Sequence, residues 1–254
     1  MKKTSLLATA ASLLLSSCMV RINSTHNALK PAASAEEAIS MADSAAAKGF
    51  TRIEANGGFD VYYTQGDTLS IRLEGDTAST RHTIVTGDGN TLTISAANDG
   101  DLTTKLKYQM KVYVTSPALA EVSIKGSGNF IAERGISADK LSMHIAGSGD
   151  IKVTGVKADD FSIDIAGSGD AYASGINAKK TYTSIAGSGG ITMDGIKADN
   201  FTGSIAGSGD IKATRADIGK ASCSIAGSGD IAINGSVKEC EKSVAGSGSV
   251  KVTK

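Results

Sequence analysis

Tryptophan is absent from this 254-residue chain, and proline occurs only twice. Aromatic residues make up 4%, so large rings cannot build the interior. It has to be filled by Ile, Val, Leu and Ala, which suits a narrow core. An excess of either charge is also missing. The 26 basic side chains balance 26 acidic ones, which argues against broad electrostatic attraction to nucleic acid or anionic lipid. The apolar run from Leu6 to Leu15 is too short to span a bilayer. The histidines His26, His82 and His144 are scattered, and no Ser/His/Asp grouping stands out.

Glycine is what the chain has in plenty, with 30 residues. Seven Gly-Ser-Gly triplets begin at Gly126, Gly147, Gly167, Gly187, Gly207, Gly227 and Gly246, at intervals of 21, 20, 20, 20, 20 and 19 residues. That spacing excludes collagen. It fits one coil of a solenoid, a unit that buries its apolar face only by stacking on neighbours. The triplet is not a phosphate loop, because Gly-Ser-Gly-Asp leads into a strand without the required lysine and helix.

Within a coil such as 147–165, Ile151-Lys152-Val153-Thr154 alternates apolar and polar residues. Gly155 turns the chain, Lys157-Ala158-Asp159-Asp160 forms a polar corner, and Phe161-Ser162-Ile163-Asp164-Ile165 alternates again. Short strands separated by sharp corners predict an all-β parallel β-helix of about 20 residues per coil, with coils about 4.8 Å apart. Two inward columns follow: Ile145, Ile165, Ile185, Ile205, Ile225 and Val244, then Ile151, Ala171, Ile191, Ile211, Ile231 and Val250. Gly155, Gly175, Gly195 and Gly235 recur where positive φ is expected. Arg215 replaces glycine in one coil, so a different turn is expected there.

Residues 1–17 read as a lipoprotein signal peptide, with Lys2 and Lys3 before the apolar run. Leu15-Ser16-Ser17-Cys18 resembles a lipobox, which implies diacylglyceryl attachment at Cys18. Residues 18–48 are expected to be a flexible tether, and 49–254 a single β-helix domain. Its front, 49–125, shows period-two strands around Asn56-Gly57-Gly58 and Gln65-Gly66-Asp67 without a fixed spacing. It is expected to form irregular coils covering the end of the regular stack, 126–254. A small β-sandwich or barrel is the alternative for this half.

The most suggestive polar set is Asp150, Asp170, Asp210 and Asp230, with Asn129, Gly190 and Ser249 at matching positions. Stacked carboxylates repel, so calcium between them is one reading. The other is that each Asp accepts backbone N–H hydrogen bonds at its turn. The outward residues Lys152, Tyr172, Thr192, Lys212, Ala232 and Lys251 form a mixed ladder without a concentrated catalytic site. His144 is expected to point outward. Cys223 belongs to the inward column of Met143, Ile163, Thr183 and Gly203, while Cys240 falls near Ala221, two residues out of step. They are candidates for a disulfide or for two buried thiols.

Three segments carry a family resemblance: Phe59-Asp60-Val61-Tyr62-Tyr63-Thr64-Gln65-Gly66-Asp67, Val112-Tyr113-Val114-Thr115-Ser116-Pro117-Ala118-Leu119 and Ile124-Lys125-Gly126-Ser127-Gly128. Over about 50–254 the chain resembles the auto-transporter adhesin, head GIN domain family of Gram-negative envelopes. The resemblance implies a right-handed parallel β-helix and, for many members, lipoprotein anchoring. It implies no catalytic residue. The expectation is a non-enzymatic envelope lipoprotein, outer-membrane-anchored, that presents a rigid surface for adhesion, glycan or protein binding, or scaffolding. Tyr172 and Tyr182 are the candidates for stacking on sugars. A carbohydrate-active β-helix enzyme and a calcium-stabilised scaffold are the alternatives.

Overall fold

The computed structural model describes residues 49–97 and 110–254, with Ala32 and Ser44 as isolated positions. The signal peptide, Cys18 and nearly all of the predicted tether lie outside the described residues. Ala32 is buried, and its N–H donates to the Arg81 carbonyl at 2.8 Å.

Regular coils begin with β9 (Ile136–Gly147) and continue through β10 (Ile151–Gly167), β11 (Ala171–Gly187), β12 (Gly190–Gly207), β13 (Asp210–Gly227), β14 (Asp230–Gly246) and β15 (Ser249–Thr253). Neighbours pair in parallel, and Ile165 lies against Ile145 and Ile185 as the twenty-residue period requires. The chain makes a β-solenoid of about seven turns with roughly 20 residues per coil. Both predicted inward columns are present. The isoleucines at 145, 165, 185, 205 and 225 are at most 3% exposed, each contributing about 1.5–3 kcal/mol by burial. Val244, at the last coil, is 43% exposed.

The front is assembled from β1 (Arg52–Gly57), β2 (Phe59–Gln65), β3 (Ser70–Glu74), the short helix α1 (Thr77–Arg81), β4 (Thr83–Gly87), β5 (Thr91–Ala96), β6 (Met110–Ser116), β7 (Glu121–Gly126) and β8 (Asn129–Ala132). It belongs to the same sheet system as the coils, not to a sandwich, but its coils are not stacked in chain order. β1 lies between β5 and β7, pairing in parallel with both. β2 likewise lies between β6 and β8. The chain lays down one coil, passes outward through β3, α1 and β4, builds a coil beneath the first, then crosses to the far side. Arg52 therefore pairs with Thr91 on one side and Glu121 on the other, and no fixed sequence period survives. β3 and β4 run antiparallel to β6 and β5 and close the front end.

At the opposite end, β14 carries the register set by the shortened last repeat. Ala221 pairs with Cys240, and Cys223 with Lys242. A lysine thus occupies an inward column, and its Nζ donates to the Val250 carbonyl at 3.0 Å. An inward charge on a terminal coil discourages another strand from adding to that edge.

The expectation of a different turn at Arg215 is corrected. Gly155, Gly175 and Gly195 have φ of 74°, 62° and 72°, and Arg215 keeps the same left-handed conformation at φ 50°. Its guanidinium donates to Asp194 Oδ2, which anchors the strained residue. The coil that departs is the short one, where Gly235 takes φ 139°.

One core position leaves a polar atom without a partner. Thr181 lies in register between Phe161 and Phe201, is fully buried, and its Oγ1 has no hydrogen bond. An orphaned hydroxyl in an apolar stack costs stability. Thr181→Val should raise the unfolding free energy by about 1 kcal/mol, read as a higher urea midpoint. A lower midpoint would show that the hydroxyl is satisfied.

Candidate functional site

The aspartate column forms a ladder between coils. Asp150 Oδ1 accepts the N–H of Asp170 at 2.9 Å, and Asp170 Oδ1 that of Gly190 at 2.7 Å. Asp210 Oδ1 accepts the N–H of Asp230 at 2.8 Å, and Asp230 Oδ1 that of Ser249 at 2.8 Å, with the Ser249 hydroxyl donating as well. The acceptor serves the coil above rather than its own turn. Ser249, through its hydroxyl and its amide, holds the Asp230 carboxyl below the usual range.

Below these, Asn129 Oδ1 accepts the Asp150 N–H while its Nδ2 donates to the buried Asp60 at 2.7 Å. An amide suits that rung because it must donate and accept at once. Gly190 has no side chain, so Asp210 N–H turns to the Gly189 carbonyl at 3.3 Å. Beside this gap lies a shallow hollow of about 370 Å³ that takes in Asp150, Asp170, Lys152, Tyr172 and Thr192. Among the described residues no three His, Cys, Asp or Glu side chains converge to hold a metal ion.

A long concavity follows the polar corner. It is a groove of about 580 Å³ running along the solenoid axis from Ser137 to Lys238, through six coils. Ala138, Ala158, Ala178 and Ala198 form its floor. One wall carries Ser137, Lys157, Asn177, Lys197 and Asp217, and the other Asp139, Asp159, Lys179, Asp199 and Lys238. The cause is local. At each corner a small inward alanine sits between two outward residues, so the flanking side chains rise on both sides. The walls hold four lysines and four aspartates. Lys179 Nζ meets Asp159 Oδ1 at 2.8 Å. That hydrogen bond, and the charges of Asp159, Asp199 and Asp139, hold the ammonium above the usual lysine range.

Tyr172 and Tyr182 are 38% and 43% exposed but lie half a coil apart, so one straight ligand cannot stack on both. Cys223 and Cys240 are free thiols on a diagonal of two columns. Burial first, then the adjacent Cys240, pushes the Cys223 thiol up to about 12. Sequence reading found the corner but not its groove. The available signal was the recurrence of alanine at 138, 158, 178 and 198.

His144 is half-exposed, with Nδ1 3.3 Å from Asp164 Oδ2 in the next coil. The hydrogen bond to Asp164 raises its pKa, against partial burial. A raised folded-state pKa gives stability that is complete below about pH 6.5, the unfolded value, and is lost as pH rises through the folded value. The stability difference between the protein and Asp164→Asn should therefore shrink from pH 6 towards pH 8 in paired denaturant titrations. A pH-independent difference would refute this. Because the ladder aspartates already accept amides, calcium is expected to leave the melting temperature unchanged relative to chelator. A rise with calcium would put cations in the ladder.

With this geometry in view, comparison with known proteins is informative. Residues 49–217 and 183–254 match the family model described as "Putative auto-transporter adhesin, head GIN domain". A solved structure from Bacteroides fragilis NCTC 9343, titled a putative adhesin, is 26% identical with a TM-score of 0.70, covering 80% of this chain and 92% of that one. Another, titled a putative lipid binding protein, from Parabacteroides distasonis ATCC 8503, is 26% identical with a TM-score of 0.69, covering 81% and 93%. A third, from Parabacteroides merdae ATCC 43184, is 22% identical at a TM-score of 0.64, covering 81% and 92%, and shares the fold. No curated protein matches. Since the family model spans the irregular front and the repeats alike, the chain belongs to the auto-transporter adhesin, head GIN domain family.

Proposed function

We propose that this protein is a non-catalytic envelope lipoprotein, held to the outer membrane through Cys18, that presents its solenoid as a fixed surface for adhesion. The observation that carries this reading is the axial groove, which runs through six coils and in which exposed lysines and aspartates flank a floor that is alanine in four of them. A stack of strands holds such a surface rigid, so little conformational entropy is lost when a partner binds.

Family membership and the adhesin-titled relative support the reading. One relative is titled for lipid binding. Here the interior is packed with aliphatic side chains and, against the expectation from the scarcity of rings, with the buried Phe130, Phe161 and Phe201 as well, which leaves lipid contact to the anchor.

The test has two arms. Full-length chain made in a Gram-negative host should fractionate with membranes, and Cys18→Ser should move to the soluble envelope fraction. Fluorescently labelled full chain should bind intact bacterial or host cells more than an unrelated β-helix of matched charge, and Lys157→Ala/Lys197→Ala should reduce that binding. Unchanged fractionation removes the anchor, and binding equal to the control removes the adhesion reading.

A further inference from the structure

We propose that the corner groove takes an extended, β-linked, uncharged polysaccharide laid parallel to the solenoid axis. Alternate sugar units are held by two rungs, Lys157 with Asp159 and Lys197 with Asp199. The inference rests on the adhesion reading and names the class of ligand that surface receives.

Spacing is the first argument. Corresponding residues in successive coils are about 4.8 Å apart, so the two rungs lie two coils, or about 9.6 Å, from each other. Extended β-linked chains turn each sugar over relative to the last. The same face and hydroxyls return at every second unit, a repeat closely matching two coils. An extended peptide returns every two residues, about 6.8 Å, and falls out of step with the rungs.

Chemistry is the second. Each rung offers an ammonium donor on one wall and a carboxylate acceptor on the other, across an alanine, Asp159 through the oxygen that Lys179 does not take. A sugar hydroxyl is donor and acceptor together, so one ring can use both walls while its C–H face rests on the methyl floor. The rung between them differs. Asn177 faces Lys179, whose ammonium is turned to Asp159 at 2.8 Å, leaving an amide for the inverted unit.

Charge is the third. The walls hold lysine and aspartate in equal number, so neither a polyanion nor a polycation gains net attraction. An uncharged polyol loses nothing by that balance. The four rung residues are all exposed, so they can be changed without opening the core.

The experiment measures binding of the full chain to two oligosaccharide series of increasing length, β-1,4-linked glucans and coiled α-1,4-linked glucans, by calorimetry. Affinity for the β-linked series should grow with length until the groove is filled. Lys157→Ala/Asp159→Ala should weaken it by about tenfold, and removal of both rungs should abolish it. Lys212→Ala, on another face, should change nothing. Circular dichroism melts confirm that each variant is folded. Preference for the coiled series, length-independent affinity, or no binding to either series overturns the ligand class. The adhesion reading then stands if cell binding persists and is lost with Lys157→Ala/Lys197→Ala, and falls with it if cells are not bound.

Discussion

One carbonyl oxygen per coil holds the stack in register. The first glycine of every triplet but the last accepts two amide hydrogens from the next coil. Gly126 O takes those of Ser148 and Gly149 at 2.9 and 3.0 Å, and Gly147 O those of Ser168 and Gly169 at 2.9 and 3.2 Å. Backbones approach too closely there for a side chain. A Cβ on Gly149 would lie 2.0 Å from Gly128 O. With this clasp fixed, isoleucine falls on isoleucine, and a one-residue slip would turn the whole inward set to water. The last repeat is one residue shorter, yet Gly246 still pairs with Gly227. The discrepancy is absorbed between Ala213 and Ala216 instead.

The two acidic columns have different fates because of where they sit relative to the clasp. Directly after it, an aspartate meets the amide of the next coil, and its Oδ1 becomes part of the scaffold. At the polar corner Asp159 and Asp199 project outward beside lysines. There the nearest partner is a side chain, as with Lys179, or a ligand. The same residue type is thus structural in one column and available in another.

Much of this was legible in the sequence because a period of twenty makes chemistry add up by column. Ile145 to Ile225, the alternation around Val153 and the displacement of Cys240 from Cys223 could all be read from spacing alone. The front could not, since stacking there follows a spatial order, β5–β1–β7, that reverses part of the chain order. Gly57 nevertheless pairs with Gly126 as an early clasp. Arg215 defied the local rule because its left-handed turn depends on Asp194, a contact in the preceding coil that no short-range signal encodes. The groove was hidden for a related reason. An alanine column looks like weak core filling until its flanking residues are seen to stand above it.

Both ends of the tube are finished against further strand addition, one by the reversed strands β3 and β4 and the other by Lys242 lying towards Val250. The molecule is consequently anisotropic in its contacts: head-on it presents mismatched strand direction or charge, and along its length it presents repeating, evenly spaced functional groups. Two copies meeting end to end would therefore not continue one another's sheet, and contact is left to the sides of the tube.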